Sequence, residues 1–116
     1  MSRVPPAVPK KDLAPPLDTP YTPEELSKFD GRDGGSIYVA VKGIVFDVSD
    51  NRQAYGHGGS YHLFAGKDVS KGLGMGSLQP EHAVADYSTL NEEQLKTLDE
   101  WFQHFSNKYN KVGRVQ

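Results

Sequence analysis

Two tyrosines, Tyr55 and Tyr61, stand six apart across a loop with glycine at positions 56, 58 and 59, and His57 and His62 lie beside them. Four rings therefore gather where the backbone bends freely and can approach a ligand closely. A packed core would not choose this arrangement, because glycine fills no space and buried tyrosine hydroxyls need partners. Phenol and imidazole can both meet a metal. The pattern suits a flat, mostly apolar ligand that needs one polar or metal-directed contact, and we read it as a haem pocket.

Other chemistries find little footing. The chain has no cysteine, which excludes disulfides, thiolate haem ligation, cysteine-type zinc or iron–sulfur sites and a cysteine nucleophile. Its remaining histidines, His82 and His104, form no His-x3-His pair with the others or with each other, and both read as solvated surface residues. No serine sits in a nucleophile elbow and no carboxylates pair for acid–base work. The glycines of Gly-Leu-Gly-Met-Gly (72–76) lack the strand-then-helix setting and trailing lysine of a phosphate loop. Thirteen basic against fifteen acidic residues leave a net charge of −2, so nothing in the charge favours nucleic acid or anionic lipid. No apolar run approaches the roughly 20 residues needed to span a bilayer, and a soluble protein is expected.

The elements that must position the loop follow from local signals. At 116 residues the chain is long enough for one domain with a single core. Residues 1–20 carry six of the eight prolines (Pro5, Pro6, Pro9, Pro15, Pro16, Pro20) and read as an extended, mobile arm. Thr22-Pro23-Glu24-Glu25 is a capping box with proline at the first helical position; Leu26 and Phe29 then face inward and Gly31 ends the helix. Ile37–Val41 and Ile44–Val48 flank Lys42-Gly43 and predict a hairpin. A short helix is expected around Tyr61–Ala65, stopped by Gly66, and Asp68 is placed to cap a turn through Val69–Leu73. Residues 72–80 are too rich in glycine for a stable element and read as a loop. Asn91 and Gln94 box the last helix, with Leu90 stapled onto Leu95. Leu95, Leu98, Phe102, Phe105 and Tyr109 recur at spacings of 3, 4, 3 and 4 on one face that Trp101 broadens. Core packing accounts for that stripe, Tyr109 at its end excepted.

Four blocks in this order carry a resemblance: Tyr21–Gly31, Val41–Val48, the loop at 55–68, and Asp99–Tyr109. Together they resemble the membrane-associated progesterone receptor family, a branch of the cytochrome b5-like haem/steroid-binding domains. The likeness is strongest to its fungal damage-response haem protein, several of whose relatives also carry the Tyr-His-x-Phe-Ala-Gly-Lys-Asp run. It covers about residues 21–115 and implies an α+β, cytochrome b5-like fold: a small, mainly antiparallel sheet, short helix pairs forming a haem cleft, and a long C-terminal helix. Residues 21–116 are then the haem/steroid-binding domain and 1–20 the arm.

The resemblance also assigns roles. Tyr61 becomes the axial ligand of the iron of haem b, Tyr55 lines the pocket, and Lys108 and Tyr109 support the ligand tyrosine and the haem edge. Sterols and the haem-thiolate monooxygenases of sterol synthesis (cytochromes P-450) are the implied partners, with a regulator rather than an enzyme expected. That protein would be cytoplasmic, at most peripheral to the endoplasmic reticulum membrane. A coordinated phenolate must lose a proton that a free phenol holds up to pH ~10, and a nearby ammonium favours that loss. One position departs from the pattern: His57 replaces a proline, so His57-Gly58-Gly59 looks like the histidine motif of true cytochrome b5 with its proline missing. A bis-histidine electron carrier using His57 and His82, 25 residues on, therefore stays open, as does a sterol-binding adaptor in which haem is incidental.

Overall fold

A computed structural model describes residues 15–116. The first strand, β1 (Thr19–Tyr21), leads into α1 (Pro23–Ser27). There the Thr22 hydroxyl accepts the Glu25 N–H at 3.1 Å and the Glu25 carboxylate accepts the Thr22 N–H at 3.0 Å, so the capping box forms as read. The helix is shorter than expected: it stops at Ser27, before Gly31, with Leu26 buried and Phe29 only half-buried.

The hairpin is present as β2 (Tyr38–Val41) and β3 (Ile44–Asp47), joined by Lys42 and Gly43, both at positive φ. That is the turn whose twist matches paired strands. After α2 (Arg52–Tyr55) comes a 3-10 turn at His62–Phe64, then α3 (Ser70–Met75), a second 3-10 turn at Pro80–His82, α4 (Glu92–Lys108) and β4 (Asn110–Val115). The sheet runs β1-β4-β3-β2, antiparallel except for the parallel β1–β4 pair. An α+β architecture with a mainly antiparallel sheet and a long C-terminal helix is therefore found, as expected.

Three expectations need correction. The arm lies outside the described residues up to position 14, but its last residues are tied to the sheet. Leu17 donates its N–H to the Lys111 carbonyl at 3.0 Å, and Thr19 and Pro20 pair with Gly113 and Arg114. Pro20 is tolerated because β1 is an edge strand. Residues 72–80 are not all loop, since α3 runs through Gly72, Leu73 and Gly74 to Met75. Gly74 is the reason: a Cβ there would meet the Leu90 side chain, the Gln94 carbonyl (3.1 Å) and Leu98 Cβ (3.4 Å), so its bareness lets α3 lie against α4. Leu95, finally, is 40% exposed and takes no part in the buried face, which Leu98, Phe105 and Tyr109 make.

The main core lies between the sheet and the helices, with Ile37, Val39, Val41, Phe46 and Val48 against Phe64, Val69, Leu73, Leu98 and Phe105. A smaller cluster (Leu26, Ala40, Val45) closes the other face. Asp68 fastens α3 to the hairpin: it accepts the Ser70 N–H and hydroxyl (3.1 and 2.6 Å) and the Gly43 N–H (3.1 Å), while Ser70 Oγ accepts the Lys42 N–H at 2.7 Å. Burial raises this carboxyl above its usual range, and the bonds partly offset that. Among the described residues no helix is long and apolar enough to cross a membrane.

Candidate functional site

A cleft of about 250 Å3 opens between the 55–64 loop, α3 and α4. Tyr55, Tyr61 and Phe64 form one wall. Gly72, Leu73 and Gly76 form the second, Thr97 and Trp101 the third, and Ser77 and Leu78 the rim. It falls slightly short of the ~300–1,000 Å3 usual for ligand pockets, a size for part of a large flat ligand rather than all of it.

The loop is drawn shut by its own backbone. Tyr61 N–H donates to the Ala54 carbonyl at 2.8 Å, and Gly59 N–H to the Gly56 carbonyl at 2.9 Å. A side chain at position 59 would run into the Ala54 carbonyl, which is why glycine stands there. This folding brings the two phenol rings to 5.8 Å between centroids, and the Tyr61 ring lies parallel to Phe64 at 5.9 Å.

The two tyrosines differ sharply in setting. Tyr55 is only 5% exposed, edge-on to Phe105 and Tyr109, and burial pushes its hydroxyl well above the ordinary phenol range. Tyr61 is half-buried. The lining contains no carboxylate, imidazole or thiol; its side-chain oxygens are those of Tyr55, Tyr61, Ser77 and Thr97. Of these only a phenol forms an anion at accessible pH. A metal-bearing macrocycle entering the cleft would meet Tyr61 as its one apt donor, so the residues present fit haem.

Other expected site residues lie behind the cleft or outside it. The Tyr109 hydroxyl accepts the Asn51 amide N–H at 3.0 Å, and its ring backs Tyr55 at 6.5 Å. Lys108 Nζ sits over the Tyr109 ring, 5.5 Å from its centroid. Neither Lys108 nor Tyr109 lines the cleft, and neither does His57, His62 or His82. His57 is exposed, its ring 4.4 Å from that of His62, whose Nδ1 lies 2.9 Å from the Tyr55 carbonyl. Two readings of surface histidines change. His82 is half-buried, its Nδ1 2.7 Å from Ser77 Oγ, and His104 is half-buried with its ring edge-on to Trp101 at 5.5 Å.

Sequence reasoning missed Trp101, Thr97, Phe64 and the whole α3 wall. Thr97 and Trp101, one turn apart, share a helix face, and that pairing with the glycines of 72–76 was the available signal.

The sequence model of the family described as "Cytochrome b5-like Heme/Steroid binding domain" matches residues 22–116. The chain is 45% identical over 96 residues to a protein named probable steroid-binding protein 3 from Arabidopsis thaliana, covering 82% of this chain and 96% of that one. It is 36% identical over 102 residues to the cytochrome P450 regulator dap1 of Schizosaccharomyces pombe, covering 82% of this chain but 61% of the relative's length. A solved Arabidopsis thaliana structure described as having a cytochrome b5 like fold superposes with a TM-score of 0.77 at 44% identity, covering 84% of this chain and 90% of that one.

Proposed function

The chain belongs to the family of cytochrome b5-like haem/steroid-binding domains, and from that membership we propose that it holds ferric haem b through the phenolate oxygen of Tyr61. The observation that carries the proposal is the donor set: the cleft offers two phenols and no other strong iron ligand, and the buried Tyr55 resists ionisation. Haem supplies a ferric iron with a coordination position that takes an anionic oxygen. Tyr55 then serves as a neutral wall and potential hydrogen-bond donor. Tyr109 braces Tyr55 from behind, and Lys108 adds positive charge over the Tyr109 ring. The b-type group suits a chain without cysteine, because covalent attachment uses a Cys-x-x-Cys-His motif.

The role that fits is regulation rather than catalysis. The lining holds no paired acid and base, and one relative is named a cytochrome P450 regulator and another a steroid-binding protein. We assign the chain to the control of haem-thiolate monooxygenases of sterol synthesis, with sterols as further ligands, working from the cytoplasm in peripheral contact with the endoplasmic reticulum membrane. The bis-histidine alternative draws no support from the arrangement, since His57 is exposed and His82 sits against Ser77 outside the lining.

Titration with hemin tests the ligand. The wild type should give a high-spin ferric signal in electron paramagnetic resonance. Tyr61→Phe, which removes one oxygen and keeps the ring, should leave the melting temperature in place and abolish tight binding. Unchanged affinity and spectrum in that variant, or a low-spin bis-histidine signal in the wild type, would end the proposal.

A further inference from the structure

We propose that His62 is a positioning residue: its imidazole clips the Tyr55–Tyr61 loop shut and so sets the Tyr61 phenol at the cleft. The functional part of this inference rests on Tyr61 being the iron-binding group; the clip itself does not.

Tyr55 is the last residue of α2, where helical carbonyls have no N–H of their own helix to meet them. His62 Nδ1 lies 2.9 Å from that carbonyl oxygen across seven residues. A carbonyl can only accept, so the Nδ1 atom carries the proton of this bond. The bond joins the residue directly after Tyr61 to the backbone of Tyr55. Tyr61 is thus tethered on both sides, its own N–H on the Ala54 carbonyl (2.8 Å) and the next side chain on the Tyr55 carbonyl. Between the tethers the loop contains three glycines, at 56, 58 and 59, and would otherwise sample a wide range of conformations. The exposed His57 ring lies 4.4 Å from the half-buried His62 ring. This gives His62 a task although it stays out of the cleft lining.

The test uses the full chain, hemin as the probe, and three variants. His62→Asn carries an amide N–H where Nδ1 stands, His62→Gln carries it one bond too far, and His62→Leu carries none. In the protein without hemin, hydrogen exchange at the Tyr61 amide should speed up by about tenfold in His62→Leu and His62→Gln, the worth of one hydrogen bond. It should stay near the wild-type rate in His62→Asn. Hemin affinity should follow the same order, with a broadened high-spin ferric signal in the Leu and Gln variants and a wild-type signal in Asn. Wild-type exchange at Tyr61 in His62→Leu, or in His62→Gln should the Leu variant not fold, overturns the clip. Equal losses in Asn, Gln and Leu also overturn it, since they would mean that the ring itself is needed. If Tyr61→Phe still binds hemin tightly, the ligand assignment fails while the exchange result still judges the clip.

Discussion

Burial separates two phenols that the sequence presents as equals. Tyr55, enclosed by Tyr109, Phe105 and Tyr61, holds its proton far above the usual range, whereas Tyr61 reaches the cleft half-buried. A consequence for stability follows with a definite sign. An unfolded phenol titrates near pH ~10, and folded Tyr55 titrates higher, so above that pH the unfolded chain gives up a proton that the folded one keeps. Stability from this group is complete below pH ~10 and is lost as pH rises beyond it. Urea unfolding of the wild type and Tyr55→Phe should therefore show a constant difference from pH 7 to 9. The variant should gain relative to the wild type at pH 11; a difference that stays flat would mean that Tyr55 ionises freely when folded. Tyr55 and Tyr61 were legible because glycines surround them; that Tyr55 would also belong to the core, which the loop's composition argued against, was not. Trp101 was not, because an aromatic residue beside a helical stripe has the same spacing whether it meets a core or a cleft.

At the scale of elements, what the sequence marks best are ends and turns. Thr22 with Glu25, Asn91 with Gln94, and Lys42-Gly43 each announce an element through bonds made within a few residues, and each forms as read. The α3 helix announces only its start, where Asp68 accepts the Ser70 N–H. Gly72 and Gly74 argue against a helix locally, at about 1 kcal/mol apiece relative to alanine, and only contact with α4 tips the balance towards one. Gly74→Ala measures that contest. The better propensity is set against a Cβ crowding the Leu90 side chain, the Gln94 carbonyl and Leu98, and forced overpacking of this kind costs about 1–3 kcal/mol. The expected result is a net loss in melting temperature together with weaker hemin binding, because α3 and α4 are two of the three cleft walls. A stabilised variant with unchanged binding would show that the helices can part without disturbing the cleft.

Across the whole molecule, the first and last strands, β1 and β4, were the least legible part. Proline-rich sequence reads as unpaired, and no strand was expected over 110–115, where Gly113 stands inside β4. Yet a side chain at 113 would run into the Thr19 carbonyl and the Tyr21 ring, so the glycine serves the strand pairing itself. Such a reason lies 94 positions away in the chain (113 − 19) and leaves no local mark. Deleting residues 1–20 should therefore not be neutral. It removes the Leu17 bond to Lys111, the Asp18–Arg114 ion pair at 3.2 Å and the Thr19 pairing. The exposed ion pair contributes little, but the lost hydrogen bonds should cost about 1–3 kcal/mol, at roughly 4–8 °C of melting temperature per kcal/mol. An unchanged melting temperature would show that β1 adds nothing to the fold.

The parallel seam between β1 and β4 also bears on how the protein is made. Chains emerge from the ribosome at about 5–20 residues per second, and β1 is among the first described segments to appear. Its partner, Asn110–Val115, comes much later in the chain, so β1 waits with its pairing edge open until position 115 has been made. The hairpin and the Tyr55–Tyr61 loop emerge well before that, and α4, which carries Trp101, follows them. The cleft can thus be assembled before the sheet is complete. Newborn chains stalled short of position 110 should already show the hairpin, while protection of Thr19–Tyr21 from proteolysis should begin only after Val115 has left the exit tunnel.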